Sequence, residues 1–77
     1  MALITAFRRT SKNRHSVHGK VECMTSAFTS AGKVYLQLDT GGSPTRKLKG
    51  KTSQTIQLDA AGARQLVTIL RATFALS

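Results

Sequence analysis

The chain has 77 residues, with 12 lysines and arginines against three acids, and its net charge is +9. Its length fits one domain over residues 1–77 with a modest core, and the single cysteine, Cys23, excludes an intrachain disulfide. No run approaches the about 20 apolar residues of a membrane-spanning helix, so we expect a soluble protein that does not use a membrane. The single cysteine fits a reducing compartment, so we expect an intracellular protein, cytoplasmic or nucleoid-associated.

Residues 1–18 are basic and free of acids. Leu3, Ile4 and Phe7 fit a first strand, whereas Arg8, Arg9 and Arg14 fit a flexible basic arm that adds affinity for a polyanion. The same Arg- and Ser-rich composition is also typical of a mitochondrial transit peptide. These interpretations of the N-terminal segment stay open.

The centre of the chain predicts a β-hairpin. Residues 19–28 favour a strand, and Ser30-Ala31-Gly32 is typical of a tight turn. In the following segment, 33–39, apolar residues alternate with polar or aromatic ones, which indicates a half-buried strand. The alternation places Lys33, Tyr35 and Gln37 together on the face away from the core.

A second basic segment follows the break at Gly41-Gly42-Ser43-Pro44. Its four cations lie beside Gly50 and could follow a phosphate backbone; they are Arg46, Lys47, Lys49 and Lys51. The other interpretation is a solvated hairpin loop whose charges keep a sheet edge from pairing.

The C-terminal third predicts one strand and one helix. Residues 53–58 alternate, with Ile56 and Leu58 on one face and Thr55 and Gln57 on the other. Asp59 is a favourable N-cap for a helix over 60–74, and the apolar stripe of that helix consists of Ala63, Leu66, Val67, Leu70 and Phe74. We expect an α+β fold: a four- or five-stranded antiparallel sheet backed by one C-terminal helix, with its other face open.

The charge and the open face together favour nucleic-acid binding, with single-stranded DNA expected first and RNA second. An exposed Tyr35 would stack a base while Lys33 attracts phosphate and Gln37 offers hydrogen bonds. The alternative for Tyr35 is an ordinary strand residue or a dimer contact. The alternative for the whole chain is a small subunit that docks on an acidic partner or a larger assembly. Because so short a chain has a thin stability margin, we also expect a homodimer.

The sequence does not favour an enzyme. Its three acids, Glu22, Asp39 and Asp59, are scattered, and His15, His18 and Cys23 lack the spacing of a zinc site. The segment Gly50-Lys51-Thr52-Ser53 imitates the end of a phosphate-binding loop but precedes a strand where a helix is required. We therefore expect no catalytic residue, no metal and no cofactor.

The order of segment 33–38, a basic Gly-containing loop, segment 55–59 and a helix resembles the single-stranded-DNA-binding transcriptional coactivator family of positive cofactor four. The resemblance covers residues 33–74 and is architectural. It implies a four-stranded sheet backed by the C-terminal helix, a dimer, transcription regulation, and DNA contacts at the basic and aromatic side chains of strand and loop. These contacts would be Lys33, Tyr35, Arg46, Lys47, Lys49 and Lys51. The same arrangement of sheet and helix also resembles the purine-rich-element-binding domains.

Overall fold

The computed structural model describes residues 1–12, 14–41 and 52–77. The described chain forms four strands and one helix: β1 (Ala2–Ile4), β2 (Cys23–Ser30), β3 (Lys33–Gly41), β4 (Thr52–Leu58) and α1 (Ala60–Phe74). The predicted α+β class is confirmed, as is the position of the helix. Residues 19–22, expected in the second strand, precede β2.

The strands form one mixed sheet in the order β1-β4-β3-β2. Strands β2 and β3 pair antiparallel, as do β3 and β4, but β1 runs parallel to β4. The prediction of a fully antiparallel sheet was therefore wrong. The alternation of apolar residues specifies which face a side chain occupies, and it carries no information about the direction of the neighbouring strand.

The hairpin of β2 and β3 closes through the two residues Ala31 and Gly32. Both have positive φ, 50° and 76°, as a type I′ turn requires. This turn matches the right-handed twist of the strands and fixes the register, so that Ser30 pairs with Lys33 and Phe28 pairs with Tyr35.

The helix begins where the sequence predicts. The Asp59 side chain accepts a hydrogen bond from the Gly62 amide at 2.7 Å, which satisfies one of the free N–H groups of the first turn. Such a cap contributes about 1 kcal/mol to stability. Of the helices among the described residues, none has the length and apolarity needed to cross a membrane.

Contact between helix and sheet is concentrated at the first helical turn. Gly62 is buried there, and a Cβ added to it would lie 2.6 Å from the Ile4 carbonyl oxygen of β1. Beyond this turn the predicted apolar stripe is largely open: Leu70 is 37% exposed and Phe74 is 65% exposed. The expectation that the helix covers one face of the sheet therefore holds only for its N-terminal end.

The core of the single chain is small. Among the described apolar side chains, Leu58 of β4 is the buried one, whereas Val34 on the same face of the sheet is 64% exposed. Val67 and Phe74 of α1 are 44% and 65% exposed, and Leu36 of β3 is 36% exposed. Apolar surface of both helix and sheet thus lies uncovered in one copy.

Candidate nucleic-acid interface

One face of the sheet gathers the predicted binding residues of β3. Lys33, Tyr35 and Gln37 alternate with Val34, Leu36 and Leu38, so the first three share the face opposite the apolar one. Lys33 is exposed, and Tyr35 and Gln37 are half-buried. We call the face that carries Lys33, Tyr35 and Gln37 the polar face.

Two aromatic rings stack against each other on the polar face. Phe28 of β2 stands opposite Tyr35 of β3, and their ring centroids are 5.4 Å apart with 25° between the ring planes. Cross-strand aromatic pairs of this kind stabilise a hairpin and hold each ring in place. Phe28 is 37% exposed, so the pair presents aromatic surface to solvent beside Lys33.

A row of hydrogen-bonded side chains continues from the rings across the polar face. The Gln57 amide donates to Gln37 Oε1 at 2.9 Å, and the Gln37 amide donates to Asp39 Oδ2 at 3.0 Å. The Thr55 hydroxyl donates to Asp39 Oδ1 at 2.7 Å. We call these four residues the polar row.

The hydrogen bonds of the row keep the Asp39 carboxylate charged. The bond from Thr55 and then that from Gln37 lower the pKa of Asp39 below its ordinary value, and partial burial opposes them. A carboxylate on this face repels phosphate, so the polar row differs in character from the aromatic pair and Lys33.

The N-terminal arginines lie elsewhere. Arg8 and Arg9 line a groove between the segment after β1 and helix α1, where the Phe7 amide donates to Gln65 Oε1 at 2.8 Å. Strand β1 forms the sheet edge opposite β2, so β4 lies between the β1 side of the sheet, where these arginines are, and the aromatic pair on β2 and β3. Arg14 is exposed in the segment between β1 and β2.

The second basic segment was also predicted to bind. Arg46, Lys47, Lys49 and Lys51 lie outside the described residues. Strands β3 and β4, which flank this segment, pair directly, with Gly41 opposite Thr52. The segment therefore starts and ends at neighbouring positions on the sheet.

Sequence reasoning did not place Phe28 on the polar face, and it placed Asp39 there by alternation without giving it a role in the site. Phe28 follows from the register, because a two-residue turn at Ala31-Gly32 pairs residue 28 with residue 35. Asp39 continues the alternation of Lys33, Tyr35 and Gln37, but its bonds to Thr55 and Gln37 depend on how β4 aligns with β3. Phe28 could therefore have been predicted from the sequence, whereas the hydrogen bonds of Asp39 could not.

The polar face offers a stacking platform, a cation and fixed hydrogen-bonding groups. Aromatic faces accept any base, and a nearby ammonium group attracts phosphate. In the part of the chain that the structure describes, no cluster of three or more His, Cys, Asp or Glu side chains could hold a metal ion.

Neither the family models, nor the curated proteins, nor the solved structures contain a match to this chain. The likeness to the positive cofactor four family therefore stays a prediction.

Proposed function

We propose that this protein binds single-stranded nucleic acid, DNA in preference to RNA, through the polar face of its sheet, without catalysing a reaction. The observation that carries the proposal is the stacked pair of Phe28 and Tyr35 beside the exposed Lys33. Bases of a single strand are free to stack on such rings, whereas bases within a duplex are not.

The charge distribution supports the same ligand. The chain carries +9 overall, and four of its cations lie in the segment that joins β3 to β4. Since β3 carries both Lys33 and Tyr35, cations that extend from its other end would follow the backbone of a strand lying along it. Phosphate contacts would add affinity without sequence preference at Arg8, Arg9 and Arg14.

Fluorescence anisotropy with a labelled single strand and a duplex of equal length tests the proposal. One stacked base should favour the single strand by about 5- to 150-fold. The logarithm of its affinity should fall with the logarithm of salt concentration by about 0.7 per phosphate neutralised.

Lys33→Gln should reduce that slope by about 0.7, since one phosphate contact is lost. Lys20→Gln is the matched control, because Lys20 is exposed and precedes β2. Equal binding of single strand and duplex, or an equal effect of the two substitutions, would contradict the proposal.

We further propose that the protein works as a homodimer. Apolar side chains of both the helix and the sheet are exposed in one copy, and a stable interface buries about 800 Å² per partner. The open stripe around Leu70 and Phe74, on α1, and the open apolar residues around Val34, on β3, are the two halves of a helix-on-sheet layer. A second copy would supply the missing half to each.

Leu70→Glu should therefore shift the protein from dimer to monomer in sedimentation equilibrium. Buried without a partner, the new carboxylate would cost several kcal/mol at the interface. Thr68→Glu is the matched control, since position 68 lies about 160° from position 70 around the helix. A wild type that is monomeric at all concentrations would overturn the proposed dimer.

The apolar stripe also favours the alternative function, docking on an acidic protein. Arg64 and Arg71 are exposed on α1 near the stripe and would pair with acids of such a partner. A docking subunit would bind single strands weakly, and its affinity for them would be insensitive to the aromatic pair. The anisotropy measurement therefore separates the two functions.

A further inference from the structure

The polar row presents fixed hydrogen-bonding groups of the kind that recognise a base. Its hydrogen bonds run from Gln57 through Gln37 to Asp39, with Thr55 holding Asp39 from β4. Each bond fixes the orientation of the next side chain, so the carboxylate of Asp39 is held in one position before any ligand arrives.

The row lies where later bases of a strand that stacks on the aromatic pair would fall. Gln37 and Asp39 follow Tyr35 along β3 on the same face, at about 7 and 13 Å from it, given the rise of an extended strand. A single strand advances about 3.4 Å per nucleotide when stacked. A strand that lies along β3 with one base on the aromatic pair therefore brings the base about two positions further over Gln37 and the base about four positions further over Asp39.

Asp39 can recognise only a hydrogen-bond donor. An ionised carboxylate has about four acceptor sites and no donor. Among the described residues, Oδ2 accepts from Gln37 and Oδ1 from Thr55 and, at 3.3 Å, from Gln37. Within the part of the chain that the structure describes, capacity for another donor remains, and a phosphodiester, which has no donor, cannot supply it.

The bases differ in whether they carry a suitable donor. Cytosine presents an exocyclic amino group that pairs well with a carboxylate, whereas thymine carries a carbonyl oxygen at that position. The N–H of thymine lies between two carbonyl oxygens, which would be brought against the carboxylate. We propose that Asp39 makes this protein select strands bearing exocyclic amino groups, cytosine over thymine. This inference rests on the proposed binding of single strands.

Anisotropy titrations with labelled oligocytidine and oligothymidine of equal length, at neutral pH and one salt concentration, test it. Wild type should bind oligocytidine about 5- to 150-fold tighter, the effect of one specific hydrogen bond from a base to a charged acceptor. Asp39→Asn should bring the ratio close to one, because the amide offers a donor to thymine as readily as an acceptor to cytosine.

Glu22→Gln is the matched control, since it removes one negative charge from an exposed residue that precedes β2. It should raise both affinities by one factor and leave their ratio unchanged. Equal binding of the two oligonucleotides by wild type, or an unchanged ratio in Asp39→Asn, overturns the base-reading role while the proposed function stands. Failure to bind either oligonucleotide overturns both.

Discussion

Replacing Tyr35 with leucine should weaken the binding of single-stranded oligonucleotides about 5- to 150-fold, because one aromatic platform for a base is lost. Leucine keeps an apolar side chain on the strand, so the hairpin should still form. Phe28→Leu should have an effect of similar size, since Phe28 is the more exposed ring of the pair. Anisotropy titration of each variant gives the change in Kd.

The double variant distinguishes a shared platform from two separate ones. The rings touch and orient one another, so removing both should cost less than the product of the single effects. Val21→Ala is the control, because Val21 is an exposed apolar side chain that precedes β2 and lies outside the sheet. If Val21→Ala weakens binding as much as Tyr35→Leu, the loss is not specific to the aromatic pair.

Gly62→Ala should destabilise the protein by about 1 to 3 kcal/mol, even though alanine is the better helix former by about 1 kcal/mol. The added methyl group would meet the Ile4 carbonyl oxygen at 2.6 Å and the Asp59 carboxylate at 3.2 Å. The first of these is backbone held in the pairing of β1 with β4, so it cannot move without disturbing the sheet. Urea unfolding followed by circular dichroism measures the change.

Ala61→Gly supplies the matched comparison. Ala61 is exposed in the same helical turn, so this variant reports helix propensity alone and should lose about 0.5 to 1 kcal/mol. A Gly62→Ala variant that is more stable than wild type would show that the first turn of α1 does not pack closely against β1.

Local patterns predicted the parts of this fold that local chemistry determines. Alternation placed Lys33, Tyr35 and Gln37 on one face, and Asp59 with the apolar stripe gave the helix its limits. The parallel β1 was not predictable, because three residues carry too short a pattern to specify a partner or a direction.

The candidate site likewise has one part that the sequence predicts and one part that it does not. Membership of the polar face followed from period-two alternation, whereas the bonds among Gln37, Asp39 and Thr55 depend on the alignment of strands distant in sequence. The exposure of the helix beyond Gly62 was also not predictable from the sequence. It depends on the direction that the close contact between Gly62 and Ile4 gives to the helix axis, and side-chain periodicity does not specify that direction.

The parallel pairing of β1 with β4 sets an order for folding. Ala2 pairs with Ile56, so β1 leaves the ribosome well before β4, the strand with which it pairs. The β2–β3 hairpin closes through a two-residue turn and can form early, followed by β4, whereas joining β1 requires closing most of the chain into a loop. During synthesis, β1 and the edge of β3 that later pairs with β4 therefore stay unpaired until β4 emerges, and an unpaired edge at that stage is open to strands from other nascent chains.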